Sequence, residues 1–371
     1  MIPVFRPSMG DDEVKAVGEV LKSGWIGLGP KTKEFEEKFA AYIKTKYAVG
    51  VNSATAALHL AMKVMNVEGS EVITTPMTFV STNHAILYNN ATPVFCDIEP
   101  DTLNIDAKKI EPLITEKTKA IVVVHYGGYA VDMDKVLEIA RRYGLKVIED
   151  VAHGCGGEYK NKKLGSIGDI GCFSFHAVKN LATGDGGMIT TNDPEIYKRL
   201  LRLRWVGISK DTWCRDIENS KGYSWYYNVE ELGFKYHMND ITAAIGLVQL
   251  KKLDFMNKRR LEISRKYSEA FSSCKYIKTP KIKDYMTKPA CHNYVIKVDN
   301  RDGLNDYLKQ KGISTGVHYI PNNHYDMYKK FRGDTPVSDA VWKRLLTLPL
   351  YPDLSDKEVD FIIRSILEFF S

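Results

Sequence analysis

Residues 146–191 read KVIEDVAHGCGGEYKNKKLGSIGDIGCFSFHAVKNLATGDGGMITT, and the fold is decided here. Three β-rich runs, KVIEDV, IGCFSFH and GGMITT, are separated by glycine-bearing loops. Ile170, Cys172, Phe173 and Phe175 read as a buried strand, since a short apolar run bounded by turn residues is the pattern of a strand inside a sheet. Asp150 closes the first run, His153 follows it, and Lys179 stands between the second run and the turn TGDGG. An acid, an imidazole and an amine therefore leave successive strand ends, where open α/β sheets place their ligands.

Outward from this stretch, residues 47–191 alternate β-rich runs with helical patterns, the signature of a mostly parallel sheet with crossover helices. The remaining strands read YAVGV, EVITTP, TPVFCDI and AIVVVHY. Apolar residues recur at three- and four-residue spacing over Ala54–Met65, Val80–Tyr88 and Met133–Tyr143, which predicts helices. The expectation is an α/β core with seven strands. After Met238, NDITAAIGLVQLKKLDFMNKRRLEISRKYSEAF predicts one long helix bridging two domains. Beyond Lys275 come a strand HNYVIKV, a helix DGLNDYLKQKG, a short strand STGVHYI and two further helical patterns ending near Phe370, a smaller C-terminal α/β domain.

A chain of 371 residues, 44% hydrophobic and 26% charged, has the size and composition of a two-domain globular enzyme. Its longest apolar runs, such as AIVVVHY, fall far short of the roughly 20 residues that span a bilayer, so no membrane segment is expected. The N-terminal MIPVFRPSMGDDEV has no signal-peptide pattern, and a cytoplasmic location is expected by default. Cys96, Cys155, Cys172, Cys214, Cys274 and Cys291 show no paired spacing, which argues against a disulfide framework and a zinc site. Cys96 and Cys172 read as core residues. The net charge of +6 is spread along the chain, and KKLDFMNKRR at 251–260 reads as a solvated helix face. Such a mild excess suits an anionic substrate such as a nucleotide diphosphate. No aromatic-studded basic surface points to nucleic acid.

Pyridoxal-phosphate (PLP) chemistry needs a lysine to form a Schiff base and a carboxylate to keep the pyridine nitrogen protonated, so that the ring acts as an electron sink. Lys179 and Asp150 supply that pair. The chain has 52 Lys and Arg residues, most of them ordinary solvated surface, so position rather than type singles out Lys179. In VNSATAALHLAM, Ser53, Ala54 and Thr55 join a strand to a helix, whose N-terminus either binds phosphate through free amides or is simply capped by its own hydroxyl. Ser174 either aims its hydroxyl at the same phosphate or is a plain strand serine. Phe79, in PMTFV, either stacks on a planar cofactor or packs in the core. His153 either contacts the cofactor or is structural.

The order of SATAAL, PMTF, IEDVAH and SFHAVKN followed by TGDGG resembles the sugar aminotransferases of the DegT/DnrJ/EryC1/StrS family. The likeness begins at SGWIGLGPKTKEFEEKFA, continues through VVHYGGYAVDMD and LGFKYHMNDITAAIGLVQL, and ends with GVHYIPNNHY and LPLYPDL, covering essentially the whole chain. It implies the fold type I aminotransferase architecture, a three-layer α/β/α body with a mostly parallel seven-stranded sheet plus a smaller C-terminal α/β domain. In that scheme residues 1–250 form the large PLP-binding domain, with 1–30 as an N-terminal segment, and 251–371 the small domain.

The same resemblance implies that Lys179 is the Schiff-base lysine, that Asp150 faces the pyridine nitrogen, that His153 contacts the ring hydroxyl and that Phe79 stacks on the ring. Ser53, Ala54, Thr55 and Ser174 would hold the phosphate, completed by Lys235 from a neighbouring subunit of a homodimer with shared active sites. Family members often carry Asn-Tyr-Arg where this chain has Lys235, Tyr236 and His237, so here a charge would replace an amide. Trp25, His318, Tyr319 and His324 lie in segments similar to the family's sugar-binding ones, or are packing and surface residues. The implied reaction moves an amino group from L-glutamate to a nucleotide-linked keto sugar, with SATA, VVHY, SFHAVKN and GFKYHMND favouring C4, although HYIPNNHY is shared by C3 enzymes.

Rival functions are weighed on the same residues. A sugar dehydratase of this family typically has histidine where Lys179 stands. A nucleotide-binding dehydrogenase would carry G-x-G-x-x-G after its first strand, and none is found. A non-catalytic homologue would be marked by loss of the acid or the lysine, and both are present.

Overall fold

The protein is described by a computed structural model over residues 1–209 and 227–371, so Cys214 lies outside the described residues. Strands β1 (Tyr47–Val51), β2 (Glu71–Thr74), β3 (Thr92–Phe95), β4 (Thr118–Val124) and β5 (Lys146–Asp150) precede a two-residue-per-strand hairpin, β6 (Glu158–Tyr159) and β7 (Lys162–Lys163). After them come β8 (Ile170–Ser174) and β9 (Gly187–Thr191). The main sheet has the order β1-β9-β8-β5-β4-β2-β3. Strand β9 runs antiparallel to β1 and β8, while β5–β8, β4–β5, β2–β4 and β2–β3 are parallel.

Helices cover both faces of this sheet. These are α1 (Asp11–Ser23), α2 (Pro30–Ile43), α3 (Ala54–Val64), α4 (Val80–Tyr88), α5 (Met133–Tyr143), α6 (Pro194–Leu203) and α7 (Asp240–Phe271). Successive residues of β5 enter opposite cores, because side chains alternate across a strand. Val147 packs with Phe35 and Phe39 of α2, Val136 of α5 and Leu247 of α7. Ile148 packs with Leu58 and Leu60 of α3, Ile86 of α4 and Leu200 of α6. Burying each such side chain contributes roughly 1.5–3 kcal/mol, so the two apolar layers fix which ends of the strands stay open.

The three helices expected from periodicity form at nearly their expected limits, each for a local reason. Helix α3 starts because Ser53, extended at φ −167°, accepts from the Ala56 amide through its hydroxyl. Helix α5 stops because Gly144 adopts a left-handed φ of 66°. Helix α7 is 32 residues long. Its N-terminal Asp240 accepts from the Lys31 and Thr32 amides at the start of α2, tying the two helices together. Along it, Leu247 and Leu253 join the sheet-side core, whereas Ile263, Tyr267 and Phe271 belong to a third core. That core includes β10 (Tyr294–Lys297), α8 (Arg301–Gln310), β11 (Leu345–Leu348) and α10 (Asp356–Phe369), with α9 (Pro336–Val341) preceding β11.

Two expectations are corrected. STGVHYI is not a strand: it pairs with β11 only at Gly316–Thr347, then leaves the ladder so that His318 and Tyr319 reach the sheet's open edge. The run at 251–260 is not one solvated face either. Met256, Asn257 and Arg260 are buried while Phe255 is exposed, because α7 is wedged between two cores and presents several faces to them. Among the described residues no helix is long and apolar enough to cross a membrane.

A buried carboxylate supports the strand ends from behind. Glu149 is fully buried and accepts from His125 Nε2 at 3.0 Å, the Gly165 amide at 2.9 Å, the Ile167 amide at 2.8 Å and the Gly168 amide at 2.7 Å. Burial pushes its carboxyl upward, but His125 and the loop amides outweigh that and hold it below the usual value. Glu149→Gln keeps the shape and turns one acceptor into an amide donor facing other donors. A loss of about 2–3 kcal/mol is expected, read as a lower Tm. An unchanged Tm would show that the 165–168 loop is held by something else.

Candidate active site

The C-terminal ends of the parallel strands open into a cavity of about 330 Å³. Ser53, Ala54 and Thr55 follow β1; Thr78, Phe79, Ser81 and Thr82 follow β2; Asp150 ends β5 and His153 follows it; and Ser174 ends β8 and Lys179 follows it. All of these residues line the cavity, as do Phe5, His292, His318 and Tyr319. The sheet therefore gathers the acid, the imidazole and the amine that the sequence spaced along one stretch.

Asp150 is buried at the cavity wall. Its Oδ1 accepts from the Ala152 amide at 3.0 Å and its Oδ2 from Thr82 Oγ1 at 2.7 Å. Since the Thr82 proton is committed there, the 2.8 Å contact between Thr78 and Thr82 hydroxyls has Thr78 as donor. Burial still raises the Asp150 carboxyl above its ordinary value, against these bonds and the Lys179 charge. Lys179 is partly buried in the turn after β8, its amide donating to His176 O at 2.8 Å. Burial pulls its amine down to about 8, with Asp150 opposing.

Imidazoles crowd the amine. His153 Nδ1 accepts from the Gly127 amide at 3.2 Å, so in the neutral ring the proton sits on Nε2, 3.0 Å from Tyr319 OH. Burial and the Lys179 and His318 charges keep His153 well below its ordinary pKa. His318 is lowered to about 4 by burial and Lys179, and its Nδ1 lies 2.8 Å from Thr347 Oγ1.

The end of the cavity beside β1 is built from backbone. The Ser53 hydroxyl serves the Ala56 amide and the Ser53 carbonyl the Ala57 amide, and Ala54 and Thr55 occupy the first turn, whose amides have no intrahelical acceptor. Glycine at 187 lets β9 pack directly against this turn: a Cβ there would sit 2.6 Å from Ser53 O and 2.9 Å from Ala54 N. Phe79, with 57% of its surface exposed, is a cavity wall and not core packing.

Three expected residues lie outside this cavity's lining. Trp25 donates from Nε1 to Leu28 O at 3.0 Å. His324 faces Asp339, 2.7 Å away, and the edge of Trp342. Lys235 Nζ lies over the Trp205 ring, 3.1 Å from its centroid.

The DegT/DnrJ/EryC1/StrS aminotransferase family model matches residues 7–367. The chain belongs to that family. It is a PLP-dependent sugar aminotransferase by family, with the fold type I architecture. The spore coat polysaccharide biosynthesis protein SpsC of Bacillus subtilis is 46% identical over 98% of this chain and 96% of its own. The aminotransferase TlmJ of Streptoalloteichus hindustanus superposes with a TM-score of 0.93 at 34% identity, covering 100% of both chains. The putative sugar aminotransferase Spr1654 of Streptococcus pneumoniae, in its PMP form, gives a TM-score of 0.92 at 34% identity over 99% of this chain and 98% of that one.

Against this family background, Phe5, Thr82 and His292 are lining residues that the sequence did not single out. Thr78 and Thr82 are four residues apart beside PMTF, a spacing that places both on one side of a starting helix. Phe5 and His292 carry no local signal, since only the tertiary fold brings them to Lys179.

Proposed function

We propose that this aminotransferase moves an amino group from L-glutamate to the keto carbon, C4 rather than C3, of a nucleotide-diphosphate keto-deoxy sugar, for polysaccharide, lipopolysaccharide or other glycoconjugate synthesis. The observation that carries this is one lysine and one buried carboxylate facing a single cavity from adjacent strand ends. The sugar is supported by relatives: SpsC is named for spore coat polysaccharide biosynthesis and Spr1654 as a putative sugar aminotransferase. The preference for C4 rests on the likeness of the motifs quoted above.

PLP fits this cavity on features of the chain itself. The Ala54 and Thr55 amides, which line the cavity at a helix N-terminus without intrahelical acceptors, suit a phosphate, and an exposed aromatic wall at Phe79 suits a flat ring. In our proposal Ser53, Ala54, Thr55 and Ser174 hold the phosphate, Phe79 stacks, Asp150 pairs with the protonated ring nitrogen and His153 turns toward the ring hydroxyl. Bound there, PLP supplies a carbonyl that links reversibly to amines and a ring that withdraws electrons. Lys179 is the linking amine. With its pKa near 8, far more of it is free base at neutral pH than of an ordinary lysine, so once released Nζ can take the proton from the donor Cα and hand it on.

We assign the sugar to the side of His318 and Tyr319 and leave out Trp25 and His324, which other groups engage. The division into a large domain of 1–250 and a small one of 251–371 belongs to the same proposal. A homodimer belongs to the proposal, with Lys235 serving the phosphate of a second copy. Phe79→Ala should weaken cofactor retention roughly 3- to 10-fold without lowering the Tm of the cofactor-free protein, because the ring is exposed. Unchanged retention would remove Phe79 from the ring face.

The test is direct. The PLP-loaded protein should be yellow, and L-glutamate should bleach it. Nucleotide 4-keto and 3-keto sugars are then offered to the bleached protein, and 4-keto sugars should restore the colour. Restoration by 3-keto sugars alone would replace C4 with C3, and colour indifferent to glutamate would exclude it as donor.

A further inference from the structure

We propose that His292 is a positioning residue whose Nε2 accepts a hydrogen bond from Lys179 Nζ and holds the freed amine in place for proton transfer. The inference rests on the role proposed above for Lys179. Lys179 Nζ and His292 Nε2 lie 3.5 Å apart, the long end of hydrogen-bond reach, and such contacts commonly tighten once a site is filled.

The tautomer is fixed by a buried chain of amides. Asn180 Nδ2 donates to Asn257 Oδ1 and to Ala290 O, both at 2.8 Å, which uses both of its protons. Asn257 Nδ2 in turn donates to Cys155 O at 2.9 Å, so neither amide can be flipped without setting acceptor against acceptor. Asn180 Oδ1 is therefore an acceptor, and His292 Nδ1, 3.0 Å away, must carry the proton. In a neutral ring the lone pair is then on Nε2, on the side of Lys179.

The ring is kept neutral and still. It is buried, and burial, with the charges of Lys179 and Arg260 and the neighbouring His153 and His318, holds it well below its ordinary pKa. Phe5 lies against it with centroids 5.2 Å apart and planes 4° apart, and His153 lies 4.5 Å away. The charged and titratable groups around the amine are Asp150 of β5, His153, His318, Tyr319 and, behind His292, Arg260 of α7. Among these, the His292 lone pair is an acceptor already within 3.5 Å of Nζ and barred from donating.

The proton balance is simple. Nζ receives the proton from the donor Cα and becomes an ammonium with three N–H bonds. One of them points at His292 Nε2, another is returned to the carbon being protonated, and His292 itself gains none. An acceptor on the ammonium favours the charged form, so its loss should lower the Lys179 pKa.

Two substitutions separate the functions of the two nitrogens. In His292→Asn the amide stands where Nδ1 stood and can still donate to Asn180, but nothing reaches Lys179. In His292→Gln an acceptor oxygen can take the place of Nε2. Lys179 pKa is read in cofactor-free protein from the pH dependence of amine acetylation, followed by mass spectrometry of its peptide, and bleaching by L-glutamate is timed in loaded protein. Expected for His292→Asn are a pKa lower by about one unit and bleaching about tenfold or more slower, with a larger isotope effect from α-deuterated glutamate and the yellow link retained. His292→Gln should recover most of both.

An unchanged Lys179 pKa and bleaching rate in His292→Asn would overturn the proposal. So would a wild-type nitrogen NMR spectrum showing His292 protonated on Nε2, a measurement that stands even if a variant fails to fold. If the cofactor proves to be linked elsewhere, the assignment of Lys179 fails, while the acetylation data still report on the His292 contact.

Discussion

Lys179→Ala is expected to abolish amino transfer, by at least about 10⁴-fold in a single turnover, while the protein still folds. The amine is both the proposed link to the cofactor and the proposed proton carrier, and no other lysine lines the cavity among the described residues. The same substitution should not destabilise the cofactor-free protein. Burial lowers the amine from 10.5 to about 8, so the folded state disfavours its charge. For a base lowered on folding, the cost is fully present below about 8 and vanishes above 10.5. Lys179→Met, which keeps the side-chain volume, should therefore stabilise the cofactor-free protein at pH 7 by on the order of 3 kcal/mol, read as a higher Tm, with the gain disappearing at high pH. Transfer within tenfold of wild type in either variant would show that another amine holds the cofactor.

Asp150→Asn should cost at least about 10³-fold in transfer, because a neutral amide cannot hold the cofactor's ring nitrogen in its protonated state. The substitution is sterically mild. The new oxygen can still accept from the Ala152 amide, and the new amide can donate to Thr82 if the Thr78–Thr82 pair reverses its donor and acceptor. Stability should move the other way from activity. Asp150 is an acid raised on folding, so its charge costs stability above the folded pKa and costs nothing below the unfolded value of about 3.9. Cofactor-free Asp150→Asn should thus melt higher than wild type at pH 7, with the two curves meeting as the pH falls below 4. Equal Tm values at pH 7 would mean that folding does not raise the carboxyl, and near-normal transfer would displace Asp150 from the ring nitrogen.

Both effects turn on burial, which a single sequence conveys unevenly. The seven main strands and the helices α3, α4 and α5 were legible because short apolar runs and a 3.6-residue apolar period coincide with clear turn residues. The positions of Asp150 and Lys179 near the ends of β5 and β8 were legible because the runs before them read as buried strands. STGVHYI misled because it too reads as a strand, yet it bends away after Gly316 to deliver His318 and Tyr319 to the cavity. The basic run at 251–260 misled because composition suggested solvent, whereas α7 is packed on several sides and uses Asn257 to anchor Asn180. His292 stands 113 positions from Lys179, and its tautomer depends on two amide side chains, Asn180 and Asn257, and the carbonyls of Ala290 and Cys155, an arrangement no local pattern encodes.

The distinction between catalytic and supporting groups follows from the same geometry. Glu149 and Asp150 are neighbours on β5 and both are buried, but alternation sends them to opposite sides of the sheet. Glu149 is saturated by four donors behind the sheet and sits below its ordinary pKa; Asp150 faces the cavity and is raised. Identical chemistry in the two side chains is thus divided between holding a loop and facing a ligand.

The most direct measurement is to reduce the yellow, PLP-loaded protein with borohydride, digest it and locate the resulting phosphopyridoxyl group by mass spectrometry. The group is predicted on Lys179, within the sequence SFHAVKNLATGDGG. A label on any other lysine, or no label on protein that remained yellow until reduction, would contradict the assignment of the active site.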